Sequence, residues 1–310
     1  YSGQSDILVI ALSVITVYEL LRKKNKSFLL WSMLAISMKP FFLFPFVLLV
    51  LLTEKNILKI LLKIFIGYAP TIIFQVLFAD APMFQAATEL APAGENLEML
   101  TRTSFGRVLM TNGSWFFLLF VVLCVVAYIT KAEDEPMYNK YVIYFTSAAY
   151  FLVMGFTSIQ HYRPIYFAPF LFILIMLNED WFRINIILKT FYSFTTLFAL
   201  CLGSENIFAR DNIKNTLITA IFKLDSKACS NMSEFLTKSI VEYETYHKIF
   251  ASVSVACIVI LLVINYPRFK VKPQIDCTKC ERWIIWIDLV VMCGMLFGVF
   301  KLFFKGFAFM

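Results

Sequence analysis

The residue in this 310-residue chain that is most suited to chemistry is a lysine between two apolar stretches. Lys39 stands directly before Pro40 and separates the apolar runs 28–38 and 41–52. A charged lysine is costly in apolar surroundings, so its presence there marks a candidate functional site. The alternative is a structural lysine that extends its ammonium group to an interface or pairs with a carboxylate. Both interpretations of Lys39 stay open at the level of the sequence.

A second polar group is the short stretch 160–164, which reads Gln-His-Tyr-Arg-Pro between two apolar runs. His161 is one of two histidines in the chain and could transfer a proton or bind a phosphate oxygen. Arg163 offers planar, bidentate donors that suit phosphate. The alternative is interfacial anchoring, with Tyr162 in an aromatic belt and Arg163 facing lipid headgroups.

The chain also opens with polar residues, Gly3-Gln4-Ser5-Asp6, directly before an apolar run. Gln4 and Asp6 could present hydrogen-bond donors and an acceptor to a hydroxyl-rich substrate or to its phosphate. Alternatively, Ser5 and Asp6 cap the first helix, where a carboxylate complements the helix dipole. No spacing among the remaining acids singles out a general base or a metal site.

Composition indicates the class of protein that positions these residues. The chain is 60% hydrophobic and 16% charged, with a mean hydropathy of +0.76. These values exclude an ordinary soluble domain and predict an all-α fold, a polytopic transmembrane helical bundle. Much of the net charge of +7 lies in short loops beside apolar runs, which is typical of cytoplasmic anchoring and not of nucleic-acid binding. No linker divides residues 1–310, so we expect a single transmembrane domain.

The apolar runs predict the order of the spans. Residues 28–52 form either one long kinked helix or a re-entrant hairpin with Lys39 at its tip, because Pro40 interrupts helical geometry. Basic residues on both sides favour the hairpin. We expect two longer outer loops at 80–114 and 204–248, the second holding an amphipathic interfacial helix. The remaining spans are predicted at residues 7–21, 60–79, 115–130, 141–157, 166–177 (broken by Pro169), 184–203, 249–266 and 283–300.

Two segments resemble a known superfamily. Gly3, Gln4 and Asp6 at a helix start, then a basic turn and a short helix ending in Lys39-Pro40, resemble the GT-C glycosyltransferases. These are multi-spanning membrane enzymes, and the likeness is greatest to bacterial members related to mannosyltransferases. The stretch 161–164, followed by 166–170, resembles a later outer loop of the same superfamily. Elsewhere the resemblance lies in hydropathy alone.

The resemblance implies transfer of a sugar from a polyprenyl-phosphate-linked donor to a lipid or glycan acceptor. The reaction would take place on the outer face of a bacterial plasma membrane, in cell-envelope glycan assembly. It implies phosphate or substrate contacts by Lys39, His161 and Arg163, together with Gln4, Asp6 and Tyr162. No cofactor is expected, and a divalent cation is left open.

In that superfamily a catalytic Asp or Glu lies in the first outer loop, upstream of the Gly-Gln segment. This chain begins with Tyr1 and not with Met, so we expect an N-terminal portion that carries the acid, and we expect residues 1–310 alone to be inactive. The alternatives are a transporter or flippase of lipid-linked glycans, with a midplane site at the broken helix, and a polymerase or ligase of surface polysaccharide, which the loop 204–248 would suit.

Overall fold

The computed structural model describes residues 2–90, 98–108, 111–132, 134–157, 166–203 and 243–267, together with Trp286, Leu289 and Val290. The described chain is mostly helical, which confirms the helical part of the predicted fold class. The helices are α1 (Ser2–Leu21), α2 (Asn25–Met38), α3 (Leu43–Thr53), α4 (Ile57–Leu77), α5 (Pro82–Leu90), α6 (Trp115–Ile129), α7 (Glu135–Phe156), α8 (Ala168–Met176), α9 (Phe182–Gly203) and α10 (Tyr243–Ile264). Two 3-10 turns lie at Pro40–Phe42 and Glu179–Trp181, and two strands, β1 and β2, lie at Ser104–Val108 and Thr111–Ser114.

Two described helices are long and apolar enough to cross a membrane by length and composition: α4 and residues Glu244–Ile264 of α10. Their mean hydropathies are 1.9 and 2.4. Helix α4 contains Pro70, a residue that membrane-spanning helices tolerate in their interior. Shorter apolar helices cover Ile7–Leu21, Pro40–Thr53 and Trp115–Ile129.

The chain separates into two compact units. The first comprises Tyr1–Leu177 with Asn265–Phe269, and the second comprises Asn178–Ile264 with Lys270–Met310. In the second unit, α9 packs along α10, with the rings of Phe194 and Phe250 6.5 Å apart. Whether both units act as one transmembrane domain stays a prediction.

Helix α7 is the central helix of the first unit. Its residues 141–153 are all buried, and it packs against α1, α3, α6 and α8. The Asp134 side chain caps its start by accepting a hydrogen bond from the Met137 amide at 2.8 Å. Two of its buried hydroxyls, on Thr146 and Ser147, donate to carbonyls one turn earlier. These two hydroxyls are therefore buried with their hydrogen bonds made, as a packed interior favours.

The chain reverses direction at Lys39. Helix α2 ends at Met38, Lys39 is extended (φ −146°, ψ 113°), and Pro40 begins the 3-10 turn that leads into α3. The rings of Phe28 and Phe46 lie 5.7 Å apart, whereas a continuous helix would separate these residues by about 27 Å along its axis. The two helices therefore form a hairpin with Lys39 at its tip, and the alternative of one long kinked helix is wrong.

Three predicted boundaries need correction. Helix α1 already begins at Ser2, so Asp6 lies inside the helix and does not cap it. Pro169 does not break α8 but occupies its first turn. A backbone N–H in the first turn has no hydrogen-bond partner within the helix, so the lack of this group in proline is tolerated there. Helix α10 begins at Tyr243 and takes the last residues of the predicted loop 204–248.

The predicted outer loop 80–114 contains regular structure. It holds α5 and an antiparallel pair, in which Ser104 faces Ser114 and Phe105 faces Gly113. The all-α prediction is wrong at this pair, and the Asn112-Gly113 dipeptide lies within β2 and not at the turn between the strands. The predicted amphipathic helix around 213–222 lies outside the described residues, as does nearly all of the predicted span 283–300.

Candidate functional site

The tip of the α2–α3 hairpin packs against the start of α6 and the end of α7. Phe44 lies against Phe116, with ring centroids 4.8 Å apart, and against Phe120, at 5.2 Å. Phe41, directly after Pro40, joins the same apolar cluster, whose buried members include Leu152 near the end of α7. We call this end of the first unit the tip end.

The other end of α3 reaches the C-terminus of α6. The Lys55 ammonium group donates to the carbonyl oxygens of Ala127 (3.3 Å), Tyr128 (2.6 Å) and Thr130 (3.2 Å), and also to that of Leu51 (2.9 Å). Helices α3 and α6 therefore run side by side in the same direction. The 15 residues of α6 rise by about 22 Å, so the hairpin is about as tall as α6. Because Phe41 and Phe44 at the tip also pack with Leu152 near the end of α7, Lys39 lies towards the Phe156 end of the first unit and not halfway along it.

Local chemistry explains the geometry of Lys39. The residue before a proline avoids helical angles, and the Lys39 amide closes α2 by donating to the Ala35 carbonyl at 3.0 Å. Its own carbonyl accepts from the Phe42 amide at 3.2 Å. The residue is half-buried, so it is less enclosed than a lysine in a continuous apolar span would be.

Helix α1 carries Gln4 and Asp6 towards the tip end. Lys23, just after α1, pairs with Glu135 at the start of α7 at 3.3 Å, and the Tyr150 hydroxyl of α7 donates to Ser13 of α1 at 3.1 Å. The two helices are therefore antiparallel. The first turns of α1 thus lie at the same end as the close of α7 and the hairpin tip. The backbones of Gln4 and Asp6 share this end with Lys39, and their side chains lie outside the description.

The other predicted site residues, His161, Tyr162 and Arg163, lie outside the described residues. The chain that precedes them reaches the tip end, because α7 ends there at Phe156. The chain that follows them packs back on α7, where Phe167 lies 4.1 Å from Phe151 and Ser147 donates to the Phe170 carbonyl. Their proximity to Lys39 stays a prediction.

The segment 98–115, which the sequence does not single out, forms part of the tip end. The Thr103 hydroxyl donates to the carbonyl of Phe156, the last residue of α7. The Ser114 hydroxyl donates to the Leu100 carbonyl at 2.8 Å and accepts from an amide in the first turn of α6. The half-exposed Trp115 packs against Phe105 in a tilted arrangement, with ring centroids 4.9 Å apart. Ser114 caps α6, whose start at Trp115 agrees with the predicted span 115–130.

The opposite end of the first unit is rich in charge, and we call it the basic end. Lys63 donates to Glu54 at 3.1 Å, and this hydrogen bond lowers the pKa of the Glu54 carboxyl below its usual value. Partial burial, and then the charge of Lys131, lowers the pKa of the Lys55 ammonium group. The surrounding carbonyl oxygens act in the opposite direction, because they accept from the charged form.

At the tip end Lys39 supplies a cation, which could bind an anionic group of a substrate. The part of the chain that the structure describes contains no group of three His, Cys, Asp or Glu side chains able to hold a metal ion. Nothing in this part identifies a catalytic base. Comparison of the chain with protein-family models, with curated proteins and with solved structures finds no match.

Proposed function

We propose that this protein is integral to the membrane and that its helices cross the bilayer several times. The support is a surface of exposed apolar side chains on helices that are mostly apolar. On α4 these include Leu58 (76% exposed), Phe65 (64%) and Val76 (71%). Such surface is costly in water and stable against lipid. A bacterial plasma membrane is the location that the resemblance implies.

We further propose that it is a glycosyltransferase that uses a polyprenyl-phosphate-linked sugar. The observation that carries this proposal is that Lys39 and the helix start with Gln4 and Asp6 lie at one end of the first unit, opposite the basic end. Positive charge on cytoplasmic loops would orient the tip end outwards. The acceptor there is a lipid or glycan hydroxyl.

The chemistry of sugar transfer suits this arrangement. The acceptor hydroxyl must lose a proton to a general base, and the departing polyprenyl phosphate must be stabilised by positive charge. Lys39 would stabilise the phosphate, with His161 and Arg163 as further contacts. The general base would be a carboxylate, as the resemblance implies, and no residue of this chain is assigned to that role. A transporter would need its broken helix near the middle of the bilayer, whereas the Lys39-Pro40 break stands at an end.

The test is transfer by the full-length protein in vesicles, with a radiolabelled polyprenyl-phosphate monosaccharide as donor. We expect Lys39→Ala to lower kcat/KM by about 100-fold, the scale of losing one charge stabiliser in a transition state. The matched control is Lys26→Ala, which removes an exposed lysine at the other end of α2 and should leave the rate unchanged.

Two results would contradict the proposal. Equal rates for the Lys39→Ala variant and the unmodified protein would remove Lys39 from the site. Transfer only from a diphosphate-linked oligosaccharide, and not from the monophosphate donor, would identify a polymerase or ligase.

A further inference from the structure

The basic end gathers cations from three separate turns of the chain. The turn after α1 is linked to α7 by the contact between Lys23 and Glu135 at 3.3 Å. The turn after α3 is linked to α6 by the hydrogen bonds of Lys55. Since the chain between α6 and α7 is short, all three turns meet on one surface. Its cations are Arg22, Lys23, Lys24, Lys26, Lys55, Lys59, Lys63 and Lys131.

The carboxylates of this surface do not balance its cations. Within the described residues they are Glu19, Glu54, Asp134 and Glu135. Glu19 lies within 4.0 Å of Arg22 and Lys24, Glu54 pairs with Lys63, and Glu135 pairs with Lys23. Eight cations thus face four carboxylates in the described part of this end, which leaves a net positive surface.

Exposed hydrocarbon begins directly beside these charges. On the first two turns of α4, Leu58 is 76% exposed and Leu61 is 58% exposed, with Phe65 one turn further on. Lys59 and Lys63 project from the same turns, so charge and hydrocarbon alternate within about 5 Å along the axis. A lysine stem beside apolar side chains can lie on hydrocarbon while its ammonium group reaches the headgroup layer.

We infer that the basic end binds the headgroups of anionic phospholipids. A bilayer that contains such lipids presents negative phosphates beside acyl chains, in the same order as the cations and the hydrocarbon of this surface. A soluble polyanion, either a nucleic acid or an acidic protein, would match the charge and leave the adjoining leucines in water. The inference rests on the membrane-spanning part of the proposed function and not on sugar transfer.

The test uses the whole protein in non-ionic detergent, titrated with dioleoylphosphatidylglycerol or with dioleoylphosphatidylcholine, and bound lipid is counted by native mass spectrometry. We expect the anionic lipid to bind about tenfold more tightly, on the scale of one or two favourable lysine contacts. The difference should shrink between about 0.1 M and about 1 M salt, where the screening length falls from about 10 Å to about 3 Å.

The variants Lys26→Gln and Lys59→Gln remove exposed cations and should each weaken binding of the anionic lipid about fivefold. Arg102→Gln removes one exposed charge at the tip end and serves as the matched control, with no change expected. Melting temperatures of all three variants check that the fold is kept.

Equal affinity of the protein for the two lipids overturns the inference. So does an Arg102→Gln variant that loses as much affinity for the anionic lipid as the Lys26→Gln and Lys59→Gln variants. It is also overturned if heparin, a polyanion without acyl chains, displaces the anionic lipid at equal charge concentration. Sugar transfer is not measured in this experiment. The absence of a preference for the anionic lipid would therefore contradict lipid binding by the basic end, whereas the absence of sugar transfer would contradict the proposed transferase activity.

Discussion

Lys55 shows how one side chain can hold two helix ends together. Its ammonium group lies within 2.6–3.3 Å of four carbonyl oxygens, three of them at the C-terminus of α6. The Tyr128 hydroxyl returns a hydrogen bond to the Lys55 carbonyl at 3.0 Å. The last carbonyls of a helix have no partners within the helix, and a cation also complements the negative end of its dipole. Lys55 therefore acts as a shared cap for α3 and α6.

Replacing this lysine should destabilise the protein. We expect Lys55→Met to lower the free energy of unfolding by about 1–3 kcal/mol, because hydrogen bonds to a charged donor are lost. The control is Lys59→Met, which removes an exposed lysine one turn away. Unfolding in detergent, followed by circular dichroism, measures both. If Lys59→Met destabilises the protein as much as Lys55→Met, the cause is the loss of a positive charge and not the loss of the hydrogen bonds that Lys55 makes as a cap.

Helices α3 and α4 approach closely at a glycine. A Cβ atom added at Gly67 of α4 would lie 2.6 Å from Cε1 of Phe46 on α3, which is too close for any real contact. Phe46 is fully buried and cannot turn away into solvent. The α3–α4 packing thus depends on the Phe46 ring lying against a glycine, which has no side chain. This arrangement is common where helices pack closely.

This pairing predicts that the effect of Gly67→Ala on the free energy of unfolding depends on Phe46 and is lost or reversed when the ring is removed. Gly67→Ala should destabilise the protein by about 1–3 kcal/mol through overpacking. In the Phe46→Leu background the ring is gone, and the same substitution should be neutral or stabilising, since alanine favours a helix over glycine by about 1 kcal/mol. Unfolding of the four proteins measures the coupling. Equal effects of Gly67→Ala in both backgrounds would rule out the contact with Phe46.

At the scale of the molecule, the first unit has two chemically different ends. The basic end carries the excess of lysine and arginine, and the tip end carries Lys39 together with the segment 98–115. The α2–α3 hairpin links them, because it starts and finishes at the basic end and turns at the tip end. If the unit spans a membrane, these ends face opposite compartments.

Cysteine labelling tests this orientation. In a background without the seven native cysteines, Lys26→Cys and Arg102→Cys place single thiols at the basic end and at the tip end. We expect a membrane-impermeant maleimide added to intact cells to label the Arg102→Cys variant, and to label Lys26→Cys only after lysis. Labelling of both variants from the same side would contradict the two-ended arrangement.

The sequence by itself determined the helical class and most helix positions, because apolar runs of this length leave few other ways to satisfy the backbone. Pro40 likewise marked the point at which α2 had to end. The tertiary structure decided how far the hairpin extends, since that depends on Phe44 meeting Phe116 and on Lys55 meeting the end of α6. It also decided that Ser104–Val108 and Thr111–Ser114 form a strand pair held to α7 by Thr103. These features come from contacts between residues far apart in the chain, which local pattern and composition do not encode.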